Sequence, residues 1–157
     1  MDYSPEMAHL VVPIPAPDPS KVSDPALRTF FRIAEAWRLG VREQMRLLGD
    51  PPRSTFYKWK QATDVVLGKD TLERLSYVFG IYSALQVLLP QADSADAWIR
   101  RPNLAPLFGG QSALERMLSG QVADLYVVRQ YLDAQLAAER PAGAVVVRVE
   151  GLSLIHI

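Results

Sequence analysis

The sequence predicts an all-α fold. Apolar residues recur at helical spacing in several separate runs, each run is bounded by a capping residue, a glycine or a proline, and the one β-branched run, at residues 144–149, has no second strand to pair with. The chain has 157 residues, 49% of them apolar, which is enough for one core, or two small lobes sharing one, plus extended ends.

Five prolines between Pro5 and Pro19 favour extended conformations, so residues 1–23 are expected to be a flexible arm. Asp24 then offers an N-cap carboxylate and Pro25 suits a first helical position. Leu27, Phe30, Phe31, Ala34 and Trp37 follow at helical spacing, which predicts a helix over 25–39 stopped by Gly40. A short helix over 41–48 places Val41, Met45 and Leu48 inward and closes at Gly49. After the turn Asp50-Pro51-Pro52, a third helix reaches Lys60 with Phe56 and Trp59 as its inward pair. Two short helices joined by a tight Gly-containing turn form a helix-turn-helix pattern. Asp70, with Glu73 three residues on, resembles a capping box for a long helix with Leu72, Leu75, Phe79, Tyr82, Leu85 and Leu89 on one stripe, ended by Pro90.

Beyond Pro90 the helices become short. Ser94 is placed to cap a helix through Ile99 that stops before Pro102, and residues 103–110 read as a loop with apolar anchors. Ser112 and Glu115 make a Ser-x-x-Glu capping box for a helix ending at Ser119-Gly120. A final amphipathic helix over 121–138 turns Val122, Leu125, Val127 or Val128, Leu132 and Leu136 inward. Residues 144–149 must pair across chains or stay loose. The expected division is an arm (1–23), a helix-turn-helix half (24–90), a second helical half (91–140) and an extension (141–157).

The 17 basic and 17 acidic residues balance, so any charge asymmetry is local. Between Arg28 and Lys60 there are eight basic residues and three acidic ones. Such a face attracts phosphates, and Arg53, Ser54, Thr55, Tyr57, Lys58 and Lys60 are donors able to reach phosphates or base edges if this helix enters a major groove. The alternative is a solvated basic face on an ordinary bundle, and spacing alone does not choose. Trp98, Arg100, Arg101 and Asn103 join an aromatic ring, two guanidinium groups and an amide at a helix end, a set suited to an acidic or phosphorylated partner. The other reading is a core tryptophan, a capping asparagine and solvated arginines.

Catalysis is not expected. There is no cysteine, both histidines, His9 and His156, lie near the ends, and no cluster has metal-ligand spacing. The glycines form no phosphate-cradling loop, so no cofactor is expected either. No uncharged apolar run approaches the roughly 18–20 residues that span a bilayer, and Leu10 to Ile14 lacks the basic flank of a signal peptide. A soluble, cytoplasmic protein is expected.

Two blocks together resemble a known family. MRLLGDPPRSTFYKWK (45–60) followed by LERLSYVFGIYSAL (72–85) is similar to the Xre-like helix-turn-helix half of the Xre/MbcA/ParS antitoxins. AWIRRPN (97–103), FGGQSALERMLSG (108–120) and DLYVVRQYL (124–132) are similar to their C-terminal toxin-binding half. The resemblance covers roughly residues 27–136 in order, with Asp50-Pro51-Pro52 in place of the more usual Gly-x-Ser connection. It implies the antitoxin of a type II toxin–antitoxin pair, with a RES-domain toxin that consumes NAD or transfers ADP-ribose from it. The antitoxin would block the toxin's active site and repress its own operon as a homodimer. Carried over by position, Arg53, Ser54, Thr55, Tyr57, Lys58 and Lys60 would face operator DNA. Trp98, Arg100, Arg101, Asn103, Tyr126, Arg129 and Glu139 would serve the toxin-binding half, with Glu150 in the extension as a further anionic group. Without a toxin partner, the same residues describe a stand-alone helix-turn-helix transcription regulator, and more distantly a structural or adaptor bundle.

Overall fold

In the computed structural model the described residues are 18–139. They form seven helices: α1 (Pro19–Ala36), α2 (Val41–Leu47), α3 (Arg53–Lys60), α4 (Lys69–Leu88), α5 (Ala92–Trp98), α6 (Ala113–Met117) and α7 (Val122–Ala138). Among the described residues there is no strand, only one antiparallel bridge between Pro102 and Ser112. The β-branched run at 144–149 lies outside them.

Two Asp-Pro pairs fall near the start of the first helix, at 18–19 and at 24–25, and both suit a helix start. The helix uses the first. The Asp18 carboxylate accepts hydrogen bonds from the Ser20 amide and hydroxyl at 3.0 and 2.8 Å, so residues 19–23, expected in the arm, are helical and Pro25 lies inside α1. Asp24 is released for another task. Its carboxylate accepts the amides of Asp64 and Val65, both at 2.9 Å, and the neighbouring buried Ser23 hydroxyl accepts the amide of Leu67 at 2.8 Å. These bonds tie the α3–α4 connection to α1.

Helix α1 also ends before the glycine expected to stop it. Arg38 adopts φ +55°, the Leu39 amide donates to the Ala34 carbonyl at 2.8 Å, and the Arg38 amide donates to Glu35 at 3.0 Å. This is a Schellman closure with arginine at the left-handed position. Gly40 instead begins α2, its amide held by the Glu43 carboxylate at 2.9 Å. Helix α2 buries Gln44 and Leu47, followed by Leu48, while Val41 and Met45 are only half-buried, so the inward face is rotated from the expected one. A second Schellman closure, with Gly49 at φ +95° and the Asp50 amide on the Met45 carbonyl at 2.8 Å, turns the chain toward α3. Phe56 is fully buried and meets Phe31 of α1 edge-on at 5.8 Å between ring centres, which seats α3 on α1.

Helix α4 starts after Gly68, and the expected Asp70–Glu73 capping box does not form. Asp70 pairs with Arg74 at 3.0 Å and Glu73 accepts the Tyr77 hydroxyl at 2.9 Å. The helix packs against α1, α5 and α7, so its buried residues, Leu75, Val78, Ile81, Ala84 and Leu85, wrap around more than one face. Of the single stripe expected, Leu72, Phe79, Tyr82 and Leu89 are only half-buried. Ser94 falls inside α5, which is preceded by Gln91. The Ser112–Glu115 capping box forms as expected, with the Ser112 hydroxyl accepting the Glu115 amide at 3.1 Å. On α7 the inward set is Leu125, Val128 and Leu132, which selects Val128 over Val127. Tyr77 lies against Tyr126, and Gly80 against Arg129, so α4 and α7 advance in the same direction; a Cβ on Gly80 would come within 2.4 Å of the Arg129 guanidinium.

The two sequence halves share one continuous core, from Leu27, Phe30 and Trp37 through Phe56 and Ile81 to Ile99, Met117, Leu125 and Val128. They also exchange arginines. Arg46 of α2 donates to the carbonyls of Leu118 and Ser119, both at 2.9 Å, while pairing with Asp50 at 2.7 Å. Arg74 of α4 donates to the Gly120 carbonyl at 3.1 Å. The end of α6, where carbonyls lack intrahelical partners, is therefore closed by the N-terminal half. The turn that follows is held by the Asp124 carboxylate, which receives the Ser119 hydroxyl at 2.5 Å and the Arg116 guanidinium at 2.9 Å.

Two outcomes follow. Arg46→Ala should lower stability by about 1–2 kcal/mol, because two carbonyls lose charged donors at a partly exposed site; the shift of a urea midpoint at unchanged slope measures it. The Ser119 hydroxyl, with Arg116 beside it, holds the Asp124 carboxyl below its ordinary 3.8 despite partial burial. Its stabilisation is present above that ordinary value and is lost as pH falls through the depressed folded-state value. Ser119→Ala should flatten this acid limb in thermal melts between about pH 5 and pH 2, while leaving the neutral-to-alkaline limb unaltered.

Candidate functional site

Helices α2 and α3 and the turn between them form the helix-turn-helix unit. With Phe56 buried and Trp59 half-buried, the remaining positions of α3 point away from the core: Arg53, Ser54, Tyr57, Lys58 and Lys60 are exposed and Thr55 is half-buried. Among the described residues Arg53 and Lys58 make no ion pair, and the Lys60 ammonium lies 5.9 Å from the centre of the Phe31 ring. Tyr57 packs edge-on against Phe56 at 5.3 Å and remains 45% exposed. Arg42 of α2 lines a recess with Arg53, Met45 and Asp50 beside the turn. The basic run in the sequence includes Arg42 without distinguishing it from Arg46. The fold separates them, since Arg46 is engaged with α6 and Arg42 is not.

In the C-terminal half the expected residues divide into two groups. Trp98 is half-buried in an aromatic cluster with Phe108 at 6.0 Å and Tyr131 at 6.4 Å, the latter ring stacked. Arg100 faces back into the protein: it donates to the carbonyls of Trp37 at 3.1 Å and Arg38 at 2.8 Å and lies 3.4 Å from Glu43. It thereby closes the C-terminus of α1. Asn103 accepts the Ala105 amide on its side chain at 2.9 Å and pairs its backbone with Gln111 and Gly110. These three residues shape the half.

Arg101, by contrast, is exposed, and among the described residues it makes no ion pair. On α7, Tyr126 is 43% exposed and its hydroxyl accepts from Gln130 at 2.6 Å. Arg129 spans from Asp133 at 3.6 Å to the Ser76 carbonyl at 3.3 Å, across the face of Gly80. Glu139 caps α7 and lines a shallow recess with Leu85, Leu88, Trp98 and Tyr131. The sequence placed all seven in one functional group; contact with the rest of the fold sorts them into supports and surface.

Among the described residues, no three His, Asp or Glu side chains gather as a metal site, and no helix is long and apolar enough to cross a membrane.

Comparison with known proteins gives two adjoining family matches. Residues 25–80 match the family model of the antitoxin Xre-like helix-turn-helix domain, which ends within α4. Residues 84–137 match that of the antitoxin Xre/MbcA/ParS C-terminal toxin-binding domain, which starts within the same helix. An uncharacterized protein of Sinorhizobium fredii, y4oB, is 53% identical over 122 residues, covering 77% of this chain and 91% of that protein. The chain is a member of the Xre/MbcA/ParS antitoxin family, an antitoxin of a toxin–antitoxin system in which a helix-turn-helix DNA-binding domain leads directly into a toxin-binding domain.

Proposed function

We propose that this antitoxin neutralises a RES-domain toxin by covering its active site and represses its own operon as a homodimer, acting in the cytoplasm and catalysing no reaction itself. The observation that carries the reading is the match of residues 84–137 to a toxin-binding domain fused through α4 to a helix-turn-helix domain. The RES identity rests on the resemblance of the motifs at 45–60, 72–85 and 97–132.

In this reading Arg53, Ser54, Thr55, Tyr57, Lys58 and Lys60 contact operator DNA, the cations setting affinity through phosphates. Arg101, Tyr126, Arg129 and Glu139 meet the toxin, and Trp98, Arg100 and Asn103 hold that surface in shape. A pocket built for an anionic dinucleotide offers basic and polar groups, which Glu139 and Glu150 are suited to engage. Occlusion needs affinity alone.

Co-purification of the tagged chain with the product of the neighbouring reading frame tests the partner: a RES-domain toxin should travel with it, and its absence would leave a stand-alone regulator. Removing residues 139–157 should weaken neutralisation in a toxin growth assay without changing the melting temperature of the antitoxin; equal protection by the shortened chain refutes the role of the extension. Lys58→Ala with Lys60→Ala should reduce operator binding and lower the slope of log affinity against log salt by about 2. Binding that is unaltered across several salt concentrations would move the DNA face off α3.

A further inference from the structure

The segment between α5 and α6 holds a leucine in water by design of its backbone. Leu104 is 92% exposed, the most exposed of the large apolar side chains described. A lone exposed leucine is ordinary. This one differs because the loop around it is rigidly built. Asn103 bonds Gln111 and Gly110 through its backbone at 3.0 and 2.8 Å and the Ala105 amide through its side chain at 2.9 Å. Gly110 adopts φ +90°, where a side chain would be strained.

The base of the loop is anchored as firmly. Phe108 is buried against Tyr131 at 5.1 Å, and the Leu107 carbonyl receives the Arg116 guanidinium at 2.7 Å. The flanking Pro102 and Pro106 are exposed as well, and Arg101, beside them, has no ion pair among the described residues. A preordered apolar tip next to a free guanidinium is the form of an interface anchor, since its ordering entropy is already lost before binding.

We propose that Leu104 is the apolar anchor of the toxin contact, entering an apolar socket on the toxin while Arg101 pairs with a carboxylate at the socket's rim. The inference rests on the antitoxin reading and deepens it. The toxin is the occupant because the loop lies within residues 84–137, the toxin-binding domain, and because the unpaired Arg101 calls for an acidic partner surface.

The test compares full-length wild-type, Leu104→Asp and Arg101→Ala chains for binding to the toxin encoded beside them, with melting temperature, operator binding and oligomeric state measured in parallel. Leu104→Asp should weaken toxin binding by about tenfold or more, and Arg101→Ala should reduce its salt dependence. Folding, operator binding and self-association should be unchanged, since neither side chain supports the core. Undiminished toxin binding by Leu104→Asp overturns the anchor, as does a loss confined to self-association, which would make the loop a contact between copies. A wild-type chain that binds no such toxin overturns the functional reading and the anchor together.

Discussion

Each half of this protein finishes the helices of the other. Arg100, from the toxin-binding half, closes the carbonyls of Trp37 and Arg38 at the end of α1, and Arg46 and Arg74, from the helix-turn-helix half, close Leu118, Ser119 and Gly120 at the end of α6. A helix C-terminus carries partial negative charge and unpaired carbonyls, so a guanidinium satisfies both the charge and the geometry. The planar fork lets one arginine reach two carbonyls at once, which an ammonium on a flexible stem does less well. Neither half reaches its full set of backbone hydrogen bonds alone.

This exchange explains why one helix can belong to both domains. α4 packs against α1, α5 and α7, and its buried residues wrap around more than one face. A helix covered on several faces loses the simple stripe of a surface helix, and its packing becomes specific instead. At Gly80 the partly exposed Arg129 side chain crosses α4 where a Cβ would stand. Helix α3 and the exposed face of α7 are therefore parts of one packed body, and α3 is located relative to α7 through α1 and α4.

The arginines divide by function according to what lies near them. Arg46, Arg74, Arg100 and Arg116 meet carbonyls or carboxylates of the same chain and act as structure. Arg42, Arg53 and Arg101 have no ion pair among the described residues and remain available at the surface. A zero net charge thus conceals a segregated arrangement, with cations free on α3 and beside the α5–α6 loop. Free guanidinium groups at a solvated surface gain little from staying unpaired, and they suit phosphate or carboxylate partners.

Much of this was legible in the residues themselves. The all-α class, the helix-turn-helix spacing around Gly49, the burial of Phe56 and the Ser112–Glu115 box all rest on local rules acting over three or four residues, and local rules are what a single sequence expresses directly. The choice between two equally good Asp-Pro starts did not. Asp24 serves the Asp64 and Val65 amides some forty residues away, and that demand exists only once α3 and α4 are in place. The same holds for Arg100 and Asn103: their types suggested binding, yet their partners are backbone groups of the same chain. Periodicity marked which residues could be inside, and only the assembled helices, by deciding which polar groups already had partners within the chain, settled which were left at the solvated surface.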